Sequence, residues 1–156
     1  MSIEKVKKYF AGFGIENKIL EFSVSSATVE LAALALGCEG ARIAKSISLS
    51  TCDGPILIIT AGDTKIDNSK YKRAFGQKAK MLACDEVEKL IGHGVGGVCP
   101  FATNEGVKVY LDRSLKRFAT VFPAAGSANS AIELTPDELE RYSAGFVCWV
   151  EVCKPA

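Results

Sequence analysis

The sequence predicts a mixed α+β fold, and three features carry that expectation. Apolar residues recur at helical spacing in some segments and alternate as in strands in others. An Asp53-Gly54 turn joins two strand-like runs early in the chain. Later, several strand-like runs follow one another without a helix between them, unlike a regular βαβ winding. A chain of 156 residues fits a single domain, 1–156, with a core large enough to need no staples.

Each element has a local reason. Ser2 can cap a first helix in which Ile3, Val6 and Phe10 share a face, ending near Gly12 or Gly14. A strand is expected over 18–23, then a helix in TVELAALALG stopped by Gly37. RIAKSISL and PILIITA flank the Asp53-Gly54 turn and should pair antiparallel. Asp67 can start a basic helix that runs through Phe75 to Gly76, and KAKML reads as a strand. Asp85 and Glu88 have the spacing of a capping box for a short helix through Ile91. Beyond a glycine-rich loop, strands are expected near 107–111, 119–123 and 130–134. Thr135-Pro136-Asp137-Glu138 combines a cap, an N1 proline and an N3 glutamate, and its helix ends by Gly145. FVCWVEV closes the chain as one strand.

Composition removes several function classes. Apolar residues make up 48% and charged residues 24%, with no low-complexity stretch. The apolar runs are too short to span a membrane, and the polar, basic N-terminus lacks a signal-peptide core, so a soluble, cytoplasmic protein without membrane association is expected. A net charge of +1 argues against a protein that coats DNA through overall charge. Between Lys65 and Lys80, however, six basic residues face one acid, a local patch that suits a phosphate backbone or an ordinary solvated helix face. Six cysteines without a C-x-x-C pair, and one histidine, give neither a disulfide framework nor zinc-ligand spacing. No metal and no cofactor are expected.

Candidate chemistry is sparse. GHGVGG formally matches G-x-G-x-x-G, but a helix precedes it and no helix start follows, so the dinucleotide reading fails. There is no phosphate-binding P-loop motif and no G-x-S-x-G elbow. The loop's bare backbone can still approach a ligand closely. His93 and Cys99 could form a thiol dyad only by sharing that loop, and a packed pair is the plainer reading. Lys45 stands out because it shares parity with Ile43, Ile47 and Leu49, which places an ammonium on an apolar strand face. It either snorkels to water or needs a partner there.

Lys45 in ARIAKSISL after TVELAALALG, the loop GHGVGGVCPF, the strand KVYLD and AAGSANSAIELTPDEL occur in the order of the YbaK/prolyl-tRNA synthetase editing-domain family, which the chain resembles from about Glu21 to Val152. The resemblance implies a compact α+β fold with a partly barrel-like mixed sheet and surrounding helices. It implies that Lys45 points into a pocket for the aminoacylated 3′ end of a tRNA, with Gly96 and Gly97 completing the catalytic set. Phe22, Val98, Pro100, Gly126, Ser127 and Asn129 are the candidate substrate contacts, and Lys70, Lys72 and Arg73 the candidate tRNA-backbone contacts. Two departures stand out: Ala102 follows Pro100-Phe101 where many members have glycine, and GSANSA replaces a basic loop, with Ala131 where some members have an acid.

The implied reaction is hydrolysis of a mischarged aminoacyl ester by a freestanding trans-editing enzyme, acting on a small amino acid on tRNA(Pro) or a related tRNA. Its partners would be aminoacyl-tRNA and a prolyl-tRNA synthetase. A synthetase gains only about 1–3 kcal/mol from a methylene difference, so a second sieve improves fidelity. The alternatives are a non-catalytic module binding a tRNA end, a nucleotide or a synthetase, and a hydrolase of other small esters or amides.

Overall fold

The computed structural model describes residues 2–156. Its centre is β3 (Gly54–Ala61), whose continuous apolar run is buried on both faces. Leu57 and Ile59 join a large core with Val6, Phe10, Val109, Leu111 and Leu139. Ile56 and Ile58 join a second core with Leu49, Tyr71 and Val152. The Asp53-Gly54 turn pairs β3 antiparallel with β2 (Ile43–Thr51), as expected. On the other side β3 runs parallel to β5 (Lys108–Asp112), which runs parallel to β8 (Phe146–Val150).

The second edge of β2 meets β6 (Phe122–Pro123) in parallel, completing the order β6-β2-β3-β5-β8. Isolated bridges, Val121 to Leu134 and Ala124 to Ala131, carry the sheet around toward β7 (Ser130–Ile132), which pairs with β1 (Ile19–Glu21). The result is a curled half-barrel, in line with the expected architecture. Among the described residues five α-helices surround it: α1 (Ser2–Ala11), α2 (Val29–Leu36), α3 (Asn68–Phe75), α4 (Cys84–Ile91) and α5 (Pro136–Tyr142). None among the described residues is long and apolar enough to cross a membrane.

Caps account for most boundaries. Thr28 and Asp67 accept backbone N–H groups at the starts of α2 and α3, and Gly37 and Gly76 end these helices in the left-handed region. The Thr135 and Glu138 side chains close a reciprocal capping box on α5. Four expectations need correction. Ser2 is the first residue of α1, not the cap ahead of it. KAKML is not a strand: Lys80 and Leu82 each make one backbone bond to the end of β2, at Ser50 and Ser48, and Met81 forms an isolated bridge. Asp85 does not cap α4; Ala83 holds that position without a side-chain bond, and Asp85 lies in the first turn. FVCWVEV is broken because the buried Asp112 carboxylate accepts the Val152 amide at 2.9 Å, and the chain restarts as β9 (Cys153–Pro155) against β4 (Thr64–Ile66).

The loop after α4 is held by close packing. A Cβ on Gly97 would lie 2.7 Å from the Gly126 carbonyl carbon and oxygen, so only glycine lets the two loops touch. His93 is fully buried, with Nε2 2.6 Å from the Phe101 carbonyl oxygen and Nδ1 without a partner. Burial, with a smaller contribution from Lys5, holds its pKa below the ordinary value, and the Phe101 carbonyl opposes this. Ala102 has φ +53°, in the left-handed region that glycine enters without penalty.

Two predictions come from this loop. Because the folded pKa of His93 is lowered, the unfolded chain takes up the proton first, and stability should fall as pH drops through about 6.5, above the range where carboxylates titrate. Denaturant midpoints between about pH 7.5 and pH 5 should therefore decline in the wild type and flatten in His93→Gln. Ala102→Gly should raise stability by up to about 1 kcal/mol, since relief of the left-handed strain exceeds the added entropy of the unfolded chain. Equilibrium urea unfolding measures it.

Candidate functional site

A cavity of about 380 Å³ opens beside β2. Its walls come from elements far apart in sequence: the cap Thr28 with Val29 and Ala32 of α2; Ala44 to Ser46 and Ser48 of β2; Val87 of α4; Val95, Gly96 and Val98 of the glycine-rich loop; and Phe122, Ala124, Ser130 and Ala131. Met81, Leu82 and Cys84 complete the wall on the side of the segment that crosses the end of β2. The lining is mostly apolar, with a few polar groups, as small-molecule sites are.

The cavity exists where β2 lacks a neighbour. β6 is registered only with Ile43 and Ala44, and the 80–82 segment bonds only Ser48 and Ser50. Among the described residues no strand is registered with 45–47 on that edge. The backbone groups of Ser48 and Ser50 used in those bonds point away from β3, and the ladder alternation gives Ser46 the same direction. A short length of unpaired strand edge therefore faces the cavity. The Ser46 hydroxyl, on the same strand, is buried and has no hydrogen-bond partner.

Lys45 is half-buried and lines this cavity. Its cross-strand partner is Thr60, and its ammonium donates a hydrogen bond to the Thr64 carbonyl oxygen. By strand parity the lysine shares a face with Ile47 and Leu49, and its partner is a neutral carbonyl. Nearby, Arg117 forks onto Asp63 at 2.6 and 3.0 Å and holds that carboxyl below its usual range, with Lys45 adding to the effect.

The other expected site residues divide. Gly96 and Val98 line the cavity with Lys45. Gly96 has φ +96°, and a Cβ there would lie 3.3 Å from that of Ala128. Gly97, Pro100 and Gly126 are buried outside the lining, Gly97 and Gly126 in loop-to-loop and loop-to-α1 contacts. Phe22, Ser127 and Asn129 also lie outside it. Asn129 Nδ2 donates to the Phe22 carbonyl at 2.9 Å, and the Ser127 hydroxyl bonds Ser130 at 2.7 Å, so these groups tie the 127–130 turn to the segment after β1. Lys70 donates to the Cys153 carbonyl at 3.0 Å, while Lys72 and Arg73 are exposed on the last turn of α3.

Ser46, Ser48 and the α2 wall were not singled out in the sequence. Serines alternating with Ile47 and Leu49 carry no motif, and it is the covering of both sheet faces that buries them. His93 and Cys99 are fully buried, with Cys99 Sγ 3.5 Å from His93 Nε2. Burial pushes the thiol up to about 12, so it carries no thiolate near neutral pH and serves as packing.

Comparison with known proteins agrees with this architecture. The chain is 54% identical over 155 residues to an uncharacterized protein, YwhH, of Bacillus subtilis strain 168, covering 99% of this chain and 98% of that one. It is 27% identical over 114 residues to EbsC of Enterococcus faecalis, a proposed Cys-tRNA(Pro)/Cys-tRNA(Cys) deacylase, covering 72% of this chain and 70% of that one. The crystal structure of a proposed trans-editing enzyme for prolyl tRNA synthetase superimposes with a TM-score of 0.87 at 28% identity, over 98% of this chain and 97% of that one. The family model for the aminoacyl-tRNA editing domain matches residues 24–142, which contain all of β2, the glycine-rich loop and the cavity between them. The chain belongs to the aminoacyl-tRNA editing domain family.

Proposed function

We propose that the protein is a trans-editing deacylase that hydrolyses a small amino acid from a mischarged tRNA, tRNA(Pro) or a related one. The observation that carries this reading is Lys45, which lines a largely apolar cavity beside an unpaired strand edge and whose ammonium is held by a neutral carbonyl. An ammonium has three N–H groups. One is given to the Thr64 carbonyl, and a charge-assisted bond to an anion is roughly twice as strong as one between neutral groups. A ligand bringing a phosphate oxygen, or a carbonyl on which negative charge develops, competes well for that ammonium.

In the reaction, water adds to the ester carbonyl carbon, whose bond to the ribose oxygen then breaks. The ribose hydroxyl regains a proton, and the amino acid leaves as a carboxylate. Lys45 fixes the 3′ end, and the Gly96 backbone approaches the carbonyl without a side chain in the way. An aminoacyl ester is already activated, so orientation and electrostatic help suffice without a side-chain nucleophile. The relatives support the class of substrate: EbsC is a proposed deacylase, and the trans-editing neighbour shares the fold over nearly its whole length.

Single-turnover deacylation of cysteinyl-, alanyl-, seryl- and threonyl-tRNA(Pro) tests the reading. One member of the panel should be hydrolysed well above background, and Lys45→Ala should slow that step by about 100-fold or more. Binding of tRNA without turnover of any member would instead favour a non-catalytic module.

A further inference from the structure

The ribbon formed by β4 and β9 concentrates positive charge in a way the fold does not need. Its register sets Lys65 directly opposite Lys154, both exposed. Like charges in this position destabilise a strand pair. Two more ammonium groups end on the same ribbon, Lys45 on the Thr64 carbonyl and Lys70 on the Cys153 carbonyl. The two acids flanking β4 are already engaged. Asp63 is forked by Arg117, and Asp67 accepts the Ser69 and Lys70 amides at 2.9 and 3.0 Å as the cap of α3. Lys154 contributes to the lowered pKa of Asp67, but neither Lys65 nor Lys154 has an ion pair among the described residues. On a chain of net charge +1, this is a local surplus.

We infer that the β4–β9 ribbon is a phosphate track, with Lys65 and Lys154 straddling the backbone of the acceptor strand whose 3′ end enters the cavity. This inference rests on the proposed deacylase reading. Lys45 joins the two places physically: it lines the cavity while its ammonium touches the ribbon at Thr64, one residue from Lys65. A polyanion bridging Lys65 and Lys154 would convert a repulsive pair into an attractive one. The track lies beside the one expected along α3, whose Lys70 ammonium reaches the ribbon at the Cys153 carbonyl while Lys72 and Arg73 are exposed on the helix's last turn.

The test compares Lys65→Gln/Lys154→Gln with Lys72→Gln/Arg73→Gln in tRNA binding over a range of salt. The first pair should weaken binding by about tenfold and reduce the slope of log K against log salt by about 2, because two phosphate contacts are lost. It should also raise KM for aminoacyl-tRNA while leaving kcat, and the hydrolysis of an aminoacyl-adenosine that lacks upstream phosphates, unchanged. The second pair should have a smaller effect on all of these. Wild-type affinity and salt slope in Lys65→Gln/Lys154→Gln, with deacylation intact, would overturn the track alone. Failure of the wild type to bind tRNA at all would overturn both the track and the reading beneath it.

Discussion

Half-withdrawing an ammonium from water is costly unless it finds a partner, and much of the geometry around the cavity is organised by where Lys45 finds one. β2 is held in register by eight pairs with β3, which sets Lys45 opposite Thr60. The turn after β3 then brings the Thr64 carbonyl within reach of Nζ. A neutral carbonyl satisfies the lysine without neutralising it. The positive charge therefore stays available beside the cavity, whereas a carboxylate partner would have cancelled much of it.

The cavity follows from the same strand. β6 is only two residues long, and the 80–82 segment arrives only at the far end of β2, so the edge between them stays open. The opposite wall depends on how closely two loops can approach. Gly97 against the Gly126 carbonyl lets the glycine-rich loop close down on the 126–130 turn, and Gly96 then faces the cavity. The paired glycines thus have separate tasks: one permits packing, and the other bares backbone. Ala102 supports the same loop at a conformational cost that glycine would avoid.

Much of this was legible in the sequence wherever a local chemical reason sufficed. The Thr135-Pro136-Asp137-Glu138 start, the Asp67 cap, the stops at Gly37 and Gly76 and the Asp53-Gly54 turn are decided within a few residues, and each occurs as expected. β4 and β9 were not legible. They are three residues each, carry no apolar alternation and exist only because 64–66 meets 153–155 across the chain. The break before β9 comes from a buried carboxylate forty positions away, Asp112, which no local pattern announces. Lys45, Gly96 and Val98, singled out through their motif, line the cavity, whereas finding Ser46 and the α2 wall there required knowing that both faces of β2 are covered. Ser127 and Asn129, named as candidate substrate contacts, lie outside the cavity lining, where Ser127 bonds Ser130 and Asn129 bonds the Phe22 carbonyl.

The central claim is that the aminoacylated end of a nucleic acid lies over the open edge of β2 beside Lys45. Nuclear magnetic resonance titration with a non-hydrolysable, amide-linked aminoacyl-adenosine tests it directly. The Ser46 and Gly96 amides and the Lys45 ammonium should shift together, while His93 and Cys99 in the packed loop stay unchanged. Perturbations centred on Ser127 and Asn129, with Ser46, Gly96 and Lys45 silent, would contradict it.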